Sequence, residues 1–176
     1  MSPPPDRTIA LVGLMGSGKS TIGRRLATVL DRPFVDADTE IETAAGRSVS
    51  DIFADLGEPA FRDGERRVIA RLLAGPPHVL ATGGGAFVQP DTRALLRDGA
   101  VTVWLKCDLP VLAKRVGRKD TRPLLKGKDP LEVLTAQAEV RYPAYAEADL
   151  VIETGDLPHG AAVEAVLSAL ASREAA

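Results

Sequence analysis

Gly13-Leu14-Met15-Gly16-Ser17-Gly18-Lys19-Ser20 follows the apolar run Thr8-Ile9-Ala10-Leu11-Val12 and precedes Thr21-Ile22-Gly23-Arg24-Arg25-Leu26-Ala27-Thr28-Val29-Leu30. The apolar run reads as a buried strand, and apolar residues recur at helical spacing in the segment behind it. G-x-x-x-x-G-K-[ST] between a strand and a helix is the setting of a phosphate-binding loop. Glycines let successive N–H groups turn inward at phosphate oxygens, and the helix N-terminus adds about half a positive charge at the same spot. Gly16, Ser17, Gly18, Lys19, Ser20 and Thr21 are therefore expected to hold the phosphates of a nucleotide. Lys19 carries an ammonium to the β- and γ-phosphates, and the Ser20 hydroxyl is suited to ligate Mg²⁺.

Outside this stretch the chain reads as one domain. Its 176 residues are enough for a full core, and 45% hydrophobic against 26% charged residues suits a soluble globular protein. A net charge of −2 gives no reason to expect a nucleic-acid or membrane partner. Cys107 is the single cysteine, so an intrachain disulfide and a cysteine zinc cluster are excluded. It ends an apolar run and reads as a buried structural thiol. With no signal-peptide pattern at the start, the expectation is a cytoplasmic protein. Residues 1–7 read as a disordered start and 8–176 as a single domain.

Strand and helix patterns alternate, which predicts a parallel sheet covered on both faces. Pro33-Phe34-Val35 is a short second strand running into Asp36-Ala37-Asp38, where a helix begins that ends near Gly46. Capping is one reading of the two aspartates. The other is that both lie at the carboxyl end of the second strand beside the phosphate loop, the edge where open α/β sheets bind ligands. Ser48 opens a further helix that Gly57 closes, and Glu58 to Leu73 forms a longer one. That helix sets Arg62 and Glu65 on one face, a pattern that by itself describes a solvated ion-paired surface. Gly64 within it costs about 1 kcal/mol relative to Ala and asks for a local reason.

The third strand ends in Gly83-Gly84-Gly85, a run that lets backbone come very close to a ligand or serves only as a flexible loop. His78 at the strand's other end reads as structural, and Trp104 in the fourth strand as core. Arg118 to Lys128 is the most basic stretch and reads as a loop able to fold over a polyanion. Asp129-Pro130-Leu131-Glu132 is a strong helix start. Asp149 to Ile152 is a fifth strand, Glu153–Pro158 a loop, and His159, at the start of the last helix, reads as exposed.

In their order along the chain, Gly13–Ser20, Asp36-x-Asp38, Phe61-Arg62-x-x-Glu65, Gly83-Gly84-Gly85, Arg122-Pro123-Leu124-Leu125 and Arg141-x-Pro143-x-Tyr145 resemble the shikimate kinase family. The resemblance runs from about Thr8 to the last helix. It implies a three-layer α/β/α P-loop NTPase fold with a five-stranded parallel sheet. Substrate-binding helices would lie at about 36–64 and a lid at about 118–128. The implied reaction moves the ATP γ-phosphate to the 3-hydroxyl of shikimate in aromatic amino-acid synthesis.

Residue by residue, the resemblance implies that Asp38 holds the substrate hydroxyls and is the base. It implies that Asp36, with Ser20, serves Mg²⁺ in place of a Walker B aspartate, since the third strand ends in Thr82-Gly83-Gly84-Gly85. Arg62 and Arg141 match the pair that clamps the shikimate carboxylate, and Gly83, Gly84 and Gly85 the glycines lining the substrate. Arg122 matches the lid arginine that reaches the ATP phosphates. Arg115 lies where the family stacks a side chain on adenine, and Glu153–Pro158 resembles the adenine loop. A monomer is expected. Two other readings are a kinase for another small hydroxy acid such as gluconate, and an ATP-binding module that makes no product.

Overall fold

Thr8–Val12 forms β1, and all five of its residues are buried. Along it the side chains alternate between two separate cores, as the period of two requires. Ile9 and Leu11 join Ile22, Leu26, Val163 and Val166 on one face of the sheet. Ala10 and Val12 join Leu80, Phe87, Leu96, Leu112 and Tyr145 on the other. A central strand buried on both faces has to be largely apolar, and this one is from Ile9 to Val12, while the buried Thr8 hydroxyl at its start accepts from His78 N–H.

The computed structural model describes residues 6–117 and 127–175. After β1 come α1 (Lys19–Leu30), β2 (Phe34–Asp36), α2 (Ala37–Ala45), α3 (Val49–Leu73), β3 (Val79–Ala81), a short 3₁₀ turn (Ala86–Val88) and α4 (Pro90–Gly99). Then follow β4 (Ala100–Cys107), α5 (Leu109–Gly117), α6 (Pro130–Tyr145), β5 (Leu150–Gly155) and α7 (His159–Ala175). The strands are all parallel and lie in the order β2-β3-β1-β4-β5. Helices α1 and α7 cover one face and α3 to α6 the other, which is the three-layer P-loop architecture expected. Among the described residues no helix is long and apolar enough to cross a membrane. The basic stretch from Arg118 to Lys126, Arg122 included, lies outside the described residues.

Local chemistry explains most element ends. Ser48 accepts from Asp51 N–H at 3.1 Å and Asp129 from Leu131 N–H at 3.1 Å, so both expected N-caps form. Gly57 has φ 84° and ψ 169°, which breaks α3 into two helical pieces at the expected place. Ile41, Ile52, Phe61 and Val68 make a small third core that ties α2 to α3. His78 is buried beside Thr8, and Trp104 is core, both as expected. Two boundaries differ from the sequence expectation. β2 reaches Asp36, and β5 continues through Glu153 to Gly155 because Cys107 pairs with Gly155 across an irregular register. The stretch expected as a loop from Glu153 to Pro158 is therefore half strand.

Candidate active site

The carboxyl ends of the strands open into a cleft of about 730 Å³. Its centre is the loop between β1 and α1. Gly18 caps α1 in the left-handed region at φ 94°, so the first N–H groups of the helix face the cleft. Lys19 Nζ donates to the carbonyls of Gly13 at 2.7 Å and Leu14 at 3.0 Å, which holds the ammonium across the loop. Ser17 points the other way. Its Oγ is buried, so only its backbone can serve the cleft.

Sheet order divides the cleft into two sides. β2 and β3 bring Asp36, Asp38, Gly83 and Gly84 to one; α5 and α7, which follow β4 and β5, bring Arg115, Val116 and His159 to the other. Asp36 satisfies both of its sequence readings at once. One carboxylate oxygen caps α2 by accepting from Thr39 N–H at 3.2 Å, and the other accepts from Ser20 Oγ at 3.3 Å. Asp38 is half-buried one residue into α2. Burial, and then the negative charge of Asp36, push its carboxyl above the ordinary value, while Lys19 and Arg62 pull it back.

The glycine run is where the distant segments meet. A Cβ on Gly83 would stand 3.0 Å from Asp38 Oδ1, and one on Gly84 would stand 2.6 Å from Arg141 Nη1. A Cβ on Gly85 would overlap the Arg62 guanidinium. Two arginines from α3 and α6 thus pack on successive glycines beside an aspartate from α2. No residue with a side chain leaves room for that arrangement.

Three residues that sequence reasoning left out of the site belong to its frame. Glu65, expected on a solvated face, is only 1% exposed. Its Oε1 accepts from Arg62 Nη1 at 2.9 Å, and burial raises its carboxyl even against that cation. The three-residue spacing from Arg62 was the available signal. Tyr145 is fully buried and donates its hydroxyl to the Gly84 carbonyl. Burial pushes that hydroxyl up to about 12, so it remains a donor at any physiological pH. Tyr145 and Tyr142 also pack on Trp104, with ring centroids 5.6 and 4.9 Å away, which fixes the end of α6 that carries Arg141. His159, expected to be exposed, is half-buried and lines the cleft.

On the β4–β5 side, Arg115 Nη1 donates to the Gly16 carbonyl at 3.2 Å and lies 3.7 Å from Cys107 Sγ. Cys107 is 3% exposed and burial raises its thiol, so it is a structural residue, as expected. Gly64 meets nothing within 4 Å where a Cβ would be, and no packing explains it.

A family model described as Shikimate kinase matches residues 15–171. The chain belongs to the shikimate kinase family. A shikimate kinase of Caulobacter vibrioides is 69% identical over 170 residues, spanning 97% of this chain and 85% of that one. Among solved structures, shikimate kinase from Acinetobacter baumannii in complex with shikimate superposes with a TM-score of 0.89 at 37% identity, over 95% of this chain and 94% of that one. A gluconokinase from Sinorhizobium meliloti shares the fold, with a TM-score of 0.68 at 21% identity over 95% and 93% of the two chains. Membership of the shikimate kinase family accords with the motif order Asp36-x-Asp38, Arg62-x-x-Glu65, Gly83–Gly85 and Arg141: Asp36, Asp38, Gly83 and Gly84 line the cleft, and Arg62, Glu65 and Arg141 pack on the glycine run at its edge.

Proposed function

We infer that the protein transfers the γ-phosphate of ATP to the 3-hydroxyl of shikimate, giving shikimate 3-phosphate and ADP. The observation that carries this reading is the packing of Arg62 and Arg141 on Gly85 and Gly84 beside Asp38, across the cleft from the phosphate loop. A small anionic triol needs a charged clamp at one end and hydroxyl acceptors at the other. Two guanidiniums suit a carboxylate, since each offers a planar fork of donors.

In this reading Gly16 to Thr21 hold the triphosphate with backbone N–H groups, and Lys19 neutralises charge at the β- and γ-phosphates. Asp38 accepts the substrate's hydroxyls and orients O3 toward the γ-phosphorus. As the O–P bond forms and the bridge to the β-phosphate breaks, the hydroxyl proton passes to the Asp38 carboxylate. Its raised pKa makes it a better acceptor than an ordinary surface aspartate. Phosphoryl transfer has a loose transition state, so positioning and charge neutralisation carry most of the rate. Arg122 would close over the phosphates from the lid, and Arg115 would stack on the adenine.

The donor set fits Mg²⁺. Ser20 Oγ and Asp36 Oδ2 are hard oxygens 3.3 Å apart at the mouth of the loop, and Mg²⁺ takes few protein ligands besides phosphate oxygens and water. When bound there, Mg²⁺ neutralises phosphate charge. Both sides of the cleft come from one chain, which supports a monomer as the working unit. The buried free thiol of Cys107 suits the reducing cytoplasm.

A coupled ADP-release assay with Mg²⁺, ATP and either shikimate or gluconate tests the reading. Turnover with shikimate is the expected result. Turnover with gluconate alone would assign the clamp to another hydroxy acid, and nucleotide binding with no phosphorylated product would leave a non-catalytic module.

A further inference from the structure

Gly83, Gly84, Gly85 and Ala86 make a β-turn. Ala86 N–H donates to the Gly83 carbonyl at 3.2 Å, so Gly84 and Gly85 are its central residues. Gly85 has φ −97° and ψ −6°, the third-position geometry of a type I turn. The type II form of the same turn differs by a flip of the Gly84–Gly85 peptide and needs a positive φ at Gly85. Glycine takes that φ at no steric cost. A side chain at Gly85 would disfavour the flip, but the Arg62 guanidinium occupies the place of its Cβ. Two backbone forms are therefore open to the turn, and its own residues do not choose between them.

The choice comes from α6. Tyr145 is fully buried in one core with Leu80, Phe87 and Trp104, and its hydroxyl donates to the Gly84 carbonyl. That bond belongs to the type I form, because the flip turns the carbonyl away. In a planar trans peptide the carbonyl and the following N–H point in opposite directions. With the Gly84 carbonyl drawn into the core, Gly85 N–H points away from it, and it donates to no described residue. The peptide that carries it lies between the two guanidiniums, since Arg141 packs at Gly84 and Arg62 at Gly85. Arg141, four residues before Tyr145 on α6, acts on the same hydroxyl.

We propose that Tyr145 is a positioning residue whose hydroxyl selects the type I form of the Gly83–Ala86 turn and so keeps Gly85 N–H facing the acceptor's carboxylate between Arg62 and Arg141. This rests on the reading of the acceptor as shikimate. Tyr145 acts through the peptide and touches no substrate itself. Without the hydroxyl neither form of the turn has a partner on the core side, and the preference for type I is lost. The flipped form turns a carbonyl oxygen toward the carboxylate, which it repels.

The test compares the intact wild type with Tyr145→Phe. The chain has a single Gly-Gly run, so glycine labelled in both nitrogen and carbonyl carbon isolates the amide signals of Gly84 and Gly85 in NMR. Ligand-free wild type should give one Gly85 signal, which moves downfield on adding shikimate. Tyr145→Phe should give a second or exchange-broadened Gly85 signal before any ligand is added. Steady-state assays with shikimate and its methyl ester then read the carboxylate. Tyr145→Phe is expected to raise the KM for shikimate about fivefold, the scale of one hydrogen bond, with the KM for ATP unchanged. The rise should be smaller for the ester, whose uncharged group gains less from an N–H donor. A Gly85 signal in Tyr145→Phe identical to that of wild type would overturn the proposal. So would an equal rise in KM for acid and ester, the mark of a merely structural loss. If Tyr145→Phe fails to fold, the wild-type spectrum decides: a Gly85 amide that does not respond to saturating shikimate overturns the proposal, and a downfield shift supports it. Split Gly85 signals in the variant, with no binding of shikimate by wild type, would keep the turn assignment and remove the acceptor reading.

Discussion

The phosphate loop is made of backbone from one contiguous stretch, whereas the acceptor side of the cleft is made of side chains from three separate ones, packed on a glycine run from a fourth. Between Gly13 and Thr21 the working groups are N–H donors and the adjacent side chains of Lys19 and Ser20, and the other residue types serve chiefly to shape the chain that presents them. Around Gly83–Gly85 the working groups are Asp38 from α2, Arg62 from α3 and Arg141 from α6, each placed by a different packing contact. The first kind of site needs only a turn and one helix to form correctly. The second needs the small core under α2 and α3 and the Trp104–Tyr145 stack to form as well. The loop should therefore tolerate peripheral change better than the acceptor side, and damage to each should appear in a different kinetic constant.

The contrast breaks most sharply at Lys19. Lys19→Ala is expected to lower turnover by about 10³–10⁵-fold, the range for removing a cation from a phosphoryl-transfer transition state, with the circular-dichroism melt showing a folded protein. Near-normal turnover would mean that the loop binds nucleotide without assisting transfer.

Asp38→Asn comes next, at about 10²–10⁴-fold in kcat. It carries an opposite effect on stability. Burial and Asp36 raise the Asp38 carboxyl above 3.8, so the unfolded chain ionises it more readily than the folded one. Stability therefore falls as pH rises from about that value through the raised folded value, and the amide removes the loss. A higher Tm at pH 7 for Asp38→Asn than for wild type is expected; a lower one would place Asp38 among the stabilising residues instead.

Arg141→Ala sharpens the comparison by attacking the acceptor side alone. Leaving the substrate carboxylate short of a partner should cost at least about 2 kcal/mol, seen as a ~30-fold rise in the KM for shikimate with the KM for ATP unchanged. A matching rise in the KM for ATP would show the two sides to be one unit. Tyr145→Phe is the mildest case. It removes the hydroxyl from the Gly84 carbonyl and is expected to cost about 1 kcal/mol, appearing as a ~5-fold loss in affinity for shikimate and a small drop in Tm.

The same contrast governs what could be read before any coordinates. The phosphate loop was legible because every residue type it needs is adjacent and sits between a strand and a helix. The sheet followed from buried runs such as Ile9 to Val12. Asp36 and Asp38 were legible as a pair, though not that Asp36 would cap α2 and meet Ser20 at once. Glu65 and Tyr145 stand in the motifs that carry the resemblance, but what they do was hidden because burial is a tertiary property: Arg62-x-x-Glu65 reads equally well as a surface ion pair. His159 was hidden because its contact is with Gly18, 141 positions earlier, and neither residue signals the other. Gly64 remains unexplained by local sequence and by packing alike.

The central claim is that the cleft sets O3 of shikimate in line with the ATP γ-phosphate. Phosphorus–proton correlation NMR of the product formed from ATP, Mg²⁺ and shikimate tests it most directly. The account predicts a single phosphomonoester coupled to the proton at carbon 3, formed in equal amount to ADP. ADP release without a shikimate ester, or an ester on the 4- or 5-hydroxyl, would contradict it.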